Sequence, residues 1–178
     1  MTDYSAERAR IRDRRVQYET DGLDLADVAA DPMEQWHRWH TQAFDVGVPE
    51  PNTFIVSTVD ADGFPDARAV LVRDADERGF TFYTNYESAK SAQLDAHPVA
   101  AATFLWLDLH RQVRIRGRVE RIDDAESDAY FASRPRESQI GAWASPQSLV
   151  IDSRATLADR VDEIEHRFAG RPVPRPPH

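Results

Sequence analysis

The chain has 178 residues, enough for one domain with a sizeable hydrophobic core. Its formal net charge of −9 argues against general nucleic-acid binding, which needs a net or clustered positive surface. The absence of cysteine excludes disulfides, thiolate metal sites and cysteine nucleophiles. The longest apolar run, from about Val99 to Leu107, is too short to span a bilayer, and the first residues lack the apolar core of a signal peptide. We therefore expect a cytoplasmic protein without membrane or nucleic-acid partners.

An N-terminal arm and a single domain are predicted. Residues 1–20 carry many charges and few apolar positions, which indicates a weakly anchored helix or a mobile arm. We assign residues 1–30 to this arm and residues 31–178 to one domain. Asp31-Pro32 opens the first helix of the domain, because aspartate caps a helix and proline fits its first turn. Apolar side chains then recur at helical spacing and predict a stripe that faces the core: Met33, Trp36, Trp39, Ala43 and Phe44.

A meander of short strands follows this helix. The segments Thr53 to Val59, Asp66 to Arg73 and Gly79 to Thr84 are rich in β-branched and aromatic residues. Turns with Asp-Gly or other charged residues separate the three segments. Short strands at such regular spacing predict a small barrel or sandwich.

The second half of the chain mixes helices with strands. A short helix from Ser88 to Ala96 precedes the apolar run from Val99 to Trp106, which predicts a buried strand. Residues Arg111 to Ile122 alternate between apolar and polar, as in a strand with one solvated face. Further helices are predicted from Asp124 to about Ala132 and from Ser153 to Ala169. The fold is therefore expected to be mainly β with flanking helices, in the α+β class.

Lys90 is the first candidate for a ligand-binding residue, because it is the only lysine of the chain. It falls in the first turn of the predicted helix, where a cation opposes the helix dipole and free backbone N–H groups attract anions. A bound phosphate explains this lysine better than a solvated surface does. Tyr83-Thr84, at the end of the preceding strand, would lie beside such a phosphate.

Arg68 and Arg73 stand at the two ends of one predicted strand. A regular strand points two residues five apart to opposite faces. They can serve one pocket only if a bulge re-aims one of them, or if they touch different parts of a ligand. Gln112 precedes three arginines at alternating positions of another strand; a solvated sheet face explains those arginines better, and the role of Gln112 stays open.

The segment from Ser133 to Ser148 is dense in side chains that hold anions and flat ligands. Two arginines flank a proline, serines and glutamines supply neutral donors, and Trp143 supplies an aromatic face. Its pattern fits neither a helix face nor a half-buried strand, and its composition suits a solvated loop and a ligand-binding segment equally well. The chain has no Gly-rich phosphate loop, dinucleotide fingerprint, catalytic triad spacing or metal-ligand cluster. Its arginine-rich features therefore suit a chemistry carried out by a cofactor.

The order of these features resembles the pyridoxine/pyridoxamine 5′-phosphate oxidase family of FMN-dependent split-barrel enzymes. The resemblance runs from about Arg14 to His178. It implies an FMN-binding split β-barrel with Greek-key-like topology, and a homodimer with two FMN molecules at the subunit interface. Four motifs carry it: Ser133-Arg134-Pro135-Arg136-Glu137-Ser138-Gln139-Ile140-Gly141-Ala142-Trp143, Phe82-Tyr83-Thr84-Asn85, Arg111-Gln112-Val113 and Pro51-Asn52-Thr53.

The resemblance also implies roles for individual residues. Arg15 and Tyr18 match a mobile N-terminal segment that covers the substrate. No residue is assigned as catalytic, and no metal is implied. FMN would be held by Arg68, Ala69, Val70, Leu71, Val72, Arg73, Tyr83, Thr84, Lys90, Gln112, Gln147 and Ser148. The substrate would be met by Arg15, Tyr18, Arg73, Tyr130, Arg134 and Ser138.

The implied reaction moves hydride from the C4′ carbon of pyridoxine or pyridoxamine 5′-phosphate to flavin N5. Molecular oxygen then reoxidises the flavin and yields hydrogen peroxide, while the product is pyridoxal 5′-phosphate; the amine passes through an imine that water hydrolyses. Arginines that bind phosphomonoesters would fix the substrate over the flavin. The alternatives are a split-barrel flavin reductase or oxidase with another substrate, and a flavin-binding protein with impaired catalysis.

Three departures from the family pattern stand out. Arg73 stands where the family usually has lysine, and Ala89 replaces an arginine that helps hold the FMN phosphate. After Pro176-Pro177-His178 the family continues with a Trp-Gly-Gly motif and an Arg-Leu-His-Asp-Arg segment, which supply barrel strands and contacts to FMN and substrate. The sequence therefore predicts either a truncated chain of a longer enzyme or a divergent flavoprotein.

Overall fold

The computed structural model describes residues 3–15, 17 and 22–178. Within these ranges, strands β1 (Thr53–Val59), β2 (Pro65–Asp76), β3 (Gly79–Phe82), β4 (Val99–Trp106) and β5 (Arg111–Arg118) form one antiparallel sheet. The strand order is β3-β2-β1-β4-β5, and the sheet curls into a half barrel with helices around it. The predicted mainly β fold with flanking helices is confirmed.

The first helix of the predicted domain begins at the capping aspartate that the sequence predicts. The Asp31 carboxylate accepts hydrogen bonds from the backbone N–H of Met33 at 2.7 Å and of Glu34 at 3.0 Å. Asp123 and Ser153 cap two later helices in the same way. Over the described residues, no helix is long and apolar enough to cross a membrane. The helices are α1 (Ser5–Asp13), α2 (Pro32–Asp45), α3 (Ala89–Ala96), α4 (Asp124–Ser133), α5 (Arg136–Ala144) and α6 (Arg154–Arg167).

The main core lies between helix α2 and one face of the sheet. Trp36 of α2 contacts Phe104 of β4, whose side chain is completely buried, at a ring-centroid distance of 5.3 Å. Ala43 is also fully buried, but Phe44 is 69% exposed. The prediction that Phe44 belongs to the core-facing stripe is therefore wrong, because one residue beyond Ala43 is a rotation of about 100° around the helix.

A second, smaller core joins helices α4, α5 and α6 to the extended segment Arg171–His178. The prediction that residues 133–148 form no helix is wrong, since they contain α5. Ile140 and Ala144 lie four positions apart and are both buried, which is the minimal spacing of a helix face. Polar residues surround Ile140 and Ala144 in the sequence, so the pattern does not reveal this short apolar face. The buried residues of the second core are Phe131, Ile140, Phe168 and Val173.

Two strands differ from their predicted form. Strand β2 continues to Asp76, beyond the predicted end at Arg73, because a bulge lets it keep pairing with β3. Strand β4 is not buried on both faces, since Leu105 is 52% exposed and Val99 is 48% exposed. The sheet therefore has one face in the core and one open face within this chain.

Candidate functional site

A cavity of about 1780 Å³ lies beside strands β2 and β3 and helices α3, α4 and α5. It gathers residues from segments that are far apart in the sequence. Of the residues predicted to bind FMN, ten line it: Arg68, Ala69, Val70, Leu71, Arg73, Tyr83, Thr84, Lys90, Gln147 and Ser148. Of those predicted to bind substrate, Arg73, Tyr130, Arg134 and Ser138 line it.

Four predicted site residues are not placed on this cavity. Val72 is 5% exposed, packs in the main core and is not among the lining residues. Gln112 lies exposed on β5, outside the described lining. Arg15 is exposed and is also absent from that lining. Tyr18 lies outside the described residues.

Lys90 is a buried cation held by neutral oxygens. Its Nζ donates to Oγ1 of Thr84 at 3.0 Å, to Oγ of Ser88 at 3.2 Å and to Oε1 of Gln147 at 3.1 Å. The side chain is among the buried ones, and none of the ion pairs in the described part of the chain involves it. Burial, and to a lesser degree the charge of Arg68, lowers the pKa of Lys90. The position therefore favours an anionic ligand that would compensate the charge.

Arg68 is the second cation of this part of the cavity. Its Nη1 donates to Oγ1 of Thr58 at 2.6 Å, and its Nη2 donates to Oε1 of Gln93 at 3.0 Å. An ion pair with Asp66 completes its surroundings. Sequence reasoning missed these three partners, although Gln93 lies three positions after Lys90 and so on the same helix face.

Arg73 lies at a bulge of β2, which is one of the two arrangements that the sequence allowed. The register between β2 and β3 shifts between Val72 and Asp74, which places Arg73 at the irregularity. A bulge changes the direction in which a side chain leaves the strand. Arg68 and Arg73 line the same cavity although they are five positions apart on one strand.

The helices α4 and α5 contribute a second group of side chains. The ring of Tyr130 on α4 stacks on that of Tyr83 with centroids 3.6 Å apart and an interplanar angle of 7°. The Arg134 guanidinium lies over the Phe131 ring at 5.5 Å, and Ser138 is exposed on the first turns of α5. Burial raises the pKa of Tyr83, so its hydroxyl is neutral and can donate or accept. This group can bind a phosphate or a carboxylate.

The residues present fit a phosphomonoester such as that of FMN. Lys90 and Arg68 supply two positive charges, and Thr84, Ser88 and Gln147 supply neutral polar groups beside them. This is the donor chemistry that phosphate oxygens need. Ser148, next to Gln147 in the same loop, adopts a left-handed conformation with φ of 71°, a strained geometry that concentrates at ligand sites.

The curled antiparallel sheet and its helices define a split-barrel protein. A family model described as pyridoxamine 5′-phosphate oxidase matches residues 40–168, and the chain belongs to this family. It is 56% identical to the pyridoxine/pyridoxamine 5′-phosphate oxidase of Burkholderia multivorans (strain ATCC 17616 / 249), over 94% of this chain and 78% of the relative. It is 51% identical to the protein of the same name from Synechocystis sp. (strain PCC 6803), with the same coverage. The resemblance inferred from the motifs is confirmed.

Solved structures show the same fold. PhzG from Burkholderia lata 383, in complex with tetrahydrophenazine-1-carboxylic acid, superposes with a TM-score of 0.81 at 26% identity, over 88% of this chain and 78% of PhzG. A pyridoxamine 5′-phosphate oxidase-related, FMN-binding protein from Nostoc punctiforme PCC 73102 superposes with a TM-score of 0.57 at 18% identity, over 74% and 73% of the two chains. The family and the named relatives support a flavin-type oxidoreductase, and the solved structures support the fold.

Proposed function

We propose that this chain is an FMN-dependent oxidase that forms pyridoxal 5′-phosphate. Pyridoxine 5′-phosphate and O2 would give pyridoxal 5′-phosphate and H2O2. Pyridoxamine 5′-phosphate, O2 and water would give the same aldehyde, ammonia and H2O2. Identities of 51–56% to relatives of that name, over 94% of the chain, support this activity over others on the same fold.

One observation carries the proposal: the cavity is lined by more cationic and polar side chains than one phosphate needs. Lys90 and Arg68 form one group, and Arg134 with Tyr130 and Ser138 forms the other. A cofactor and a substrate that each carry a phosphomonoester need two such groups. A single phosphorylated ligand would leave one group without a partner.

The residues have distinct roles in this proposal. Lys90 and Arg68 hold the FMN phosphate by charge-assisted hydrogen bonds. Tyr130, Arg134 and Ser138 bind the phosphate of the substrate and so fix the position of its reactive carbon. Bound FMN supplies the two-electron acceptor, which no side chain of the protein can replace.

We further propose that two copies of the chain form a homodimer through the open face of the sheet. Gln112, expected to contact FMN, lies on that face and outside the cavity of its own chain. Leu105, Ile55 and Val99 are exposed there at 52%, 41% and 48%. A second copy would cover these apolar side chains and could bring its Gln112 to the cofactor. Leu105→Glu should convert the dimer to a monomer in sedimentation experiments and lower FMN affinity.

The N-terminal arm of residues 1–30 is proposed to cover the substrate. Helix α1 has no buried residue, which suits a segment that docks only when a ligand is present. Arg15 would then move to the cavity, and residues 31–178 would form the domain that it covers. Limited proteolysis with and without substrate tests this: substrate should protect the arm from cleavage.

The activity is tested with the purified protein. It should bind FMN, shown by a flavin absorbance spectrum, and release H2O2 when given pyridoxine 5′-phosphate or pyridoxamine 5′-phosphate. Absence of any retained or reconstituted flavin would refute the flavoenzyme assignment. Flavin binding without peroxide release would agree with the family assignment but would reject these two compounds as substrates.

A second candidate is an oxidase acting on a ring-containing carboxylic acid. The similarity to PhzG, whose complex contains tetrahydrophenazine-1-carboxylic acid, favours it. Arg134 could bind a carboxylate as well as a phosphate. Comparing peroxide release from this acid with that from the two phosphorylated vitamers separates the candidates.

A further inference from the structure

We propose that Thr58 and Gln93 hold the guanidinium of Arg68 in place for the flavin phosphate, and that Asp66 is the counter-ion which this phosphate replaces. None of these three residues belongs to the predicted site. Their role rests on the proposed function, because it concerns the phosphate of the same cofactor.

Two neutral side chains hold Arg68 from the interior. Oγ1 of Thr58 accepts from Nη1 at 2.6 Å, and Oε1 of Gln93 accepts from Nη2 at 3.0 Å. The Thr58 hydroxyl also donates to Oε1 of Gln93, which closes a ring of three hydrogen-bonded groups. Thr58 is 1% exposed, so the ring is anchored in the core between β1 and α3. Because Thr58 and Gln93 carry no charge, they fix the guanidinium without neutralising it.

Among the side chains around Arg68, Asp66 forms the contact that a ligand can most easily replace. Its Oδ2 pairs with Nη2 of Arg68 and accepts from Nε2 of Gln93 at 3.3 Å. The hydrogen bond from Gln93 is the main cause that lowers the pKa of Asp66, so the carboxylate is charged at neutral pH. Its side chain is 52% exposed, whereas that of Arg68 is 18% exposed. Water can replace the partner of an exposed carboxylate, so the ion pair is easily exchanged.

Two charged members of this group, Asp66 and Arg68, line the cavity together with Lys90. Gln93, which contacts the Arg68 guanidinium, lies three positions after Lys90 on α3, so both cations border the same helix face. A phosphate carries more charge than a carboxylate and has more acceptor oxygens. It can therefore replace Asp66 at Arg68 while it also neutralises Lys90.

Riboflavin, which lacks the phosphate, separates this role from general support of the fold. The dissociation constants of FMN and riboflavin are measured by flavin fluorescence on the full, flavin-free chain. Gln93→Leu and the nearly isosteric Thr58→Val should each weaken FMN about tenfold, the usual effect of losing a hydrogen bond to a charged group, and leave riboflavin unchanged. Asp66→Asn should tighten FMN about two- to fivefold, because an exposed competing ion pair is removed.

Asp62→Asn is the matched control, because Asp62 lies exposed in the β1–β2 turn, outside the cavity lining, and its replacement removes the same charge. It should change neither constant. Thermal unfolding of each variant shows whether the fold is kept. Thr58→Val and Gln93→Leu remove different partners of the same guanidinium, so either variant tests the proposal if the other does not fold.

Three outcomes would overturn the proposal. If both Thr58→Val and Gln93→Leu keep the wild-type ratio of FMN to riboflavin affinity, these residues do not position Arg68. If Asp66→Asn weakens FMN, or if Asp62→Asn tightens it equally, Asp66 is not the displaced counter-ion. A wild-type chain that does not distinguish FMN from riboflavin would refute the proposed cofactor itself, which is a different failure from the first two.

Discussion

The ammonium group of Lys90 lies 3.1 Å from Oε1 of Gln147, although 57 positions separate the two residues in the sequence. Thr84 and Ser88 complete its surroundings, and all three partners are neutral. A buried charge with neutral partners is unfavourable for folding but ready for an anion. Stability and ligand binding should therefore respond in opposite directions when this charge is removed.

Lys90→Met tests this opposition. FMN binding should weaken by about ten- to a hundredfold, since a hydrogen bond to a charged group contributes about 1.5–3 kcal/mol. The flavin-free chain should melt at a higher temperature, because an apolar side chain of similar length replaces a buried cation. Fluorescence titration and calorimetry measure the two effects. A lower melting temperature with unchanged FMN affinity would show that Lys90 supports the fold and not the ligand.

Lys90 should also give the flavin-free chain a characteristic pH dependence. Its pKa is lowered in the folded state by burial first and by Arg68 second, so the folded chain loses this proton at a lower pH than the unfolded chain. Between the two pKa values the unfolded chain binds more protons, and the free energy of unfolding rises with pH. Tyr83 has a raised pKa and acts with the opposite sign in its own window.

Denaturant titrations of the wild type and of Lys90→Met at increasing alkaline pH isolate the contribution of Lys90. The wild type should gain stability relative to the variant as pH approaches the ordinary lysine pKa. Lys90 is the only lysine, so no other side chain of this type contributes. Parallel pH profiles for the two proteins would contradict the lowered pKa.

Arg134→Ala should raise the KM for pyridoxine 5′-phosphate by about tenfold or more, because a charge-assisted contact to the substrate phosphate is lost. FMN affinity should stay unchanged, since Lys90 and Arg68 hold the other group of the cavity. Arg160→Ala, which removes an exposed arginine of α6 outside the cavity lining, is the control and should leave KM unaltered. An equal KM for the wild type and Arg134→Ala would remove Arg134 from the substrate site.

The extended segment Arg171–His178 offers a separate test of stability. Arg175 pairs with Asp124 at 2.7 Å and with Asp128 at 2.5 Å on α4, and these hydrogen bonds raise its pKa. The two carboxylates are 88% and 62% exposed, so Arg175→Ala should reduce stability by only about 0.5–1 kcal/mol.

A double-mutant cycle checks this pairing by urea unfolding. The combined change Asp124→Asn with Asp128→Asn should reduce stability as much as Arg175→Ala does, and adding Arg175→Ala should cause no further loss. Fully additive losses would mean that Arg175 contributes through packing alone. Another contact of this segment, from Nε1 of Trp143 to the carbonyl of Pro174 at 2.8 Å, is untouched by these changes.

Predictions that depend on neighbouring residues in the chain succeeded. Helix α2 runs from Pro32 to Asp45 as expected, because a capping aspartate and the following proline act within one turn. Helix α5 was missed, since only Ile140 and Ala144 define its buried face. The open face of β4 was missed as well, because an apolar run does not reveal which of its side chains another subunit or helix will cover.

Some residues of the candidate site were likewise predictable from the sequence and others were not. Lys90 was singled out from its place in a helix and its rarity, and the motifs around Arg134 pointed to the family. The partners Thr58 and Gln93 could not be found, since Thr58 meets Arg68 through the register of β1 with β2, and Gln93 meets it only when α3 packs against β1. Gln112 matches a family motif, but its distance from the cavity depends on how the sheet curls.

The sequence by itself determined the succession of the five strands along the chain, the cap of α2 and the family, because alternation, capping and motif spacing are local properties of the chain. Only the tertiary structure decided that Arg68 and Arg73 line one cavity and that Arg73 lies at a bulge of β2. It also decided that Lys90 is buried among neutral oxygens. Burial and charge balance depend on which segments meet in space, and no single stretch of sequence carries that information.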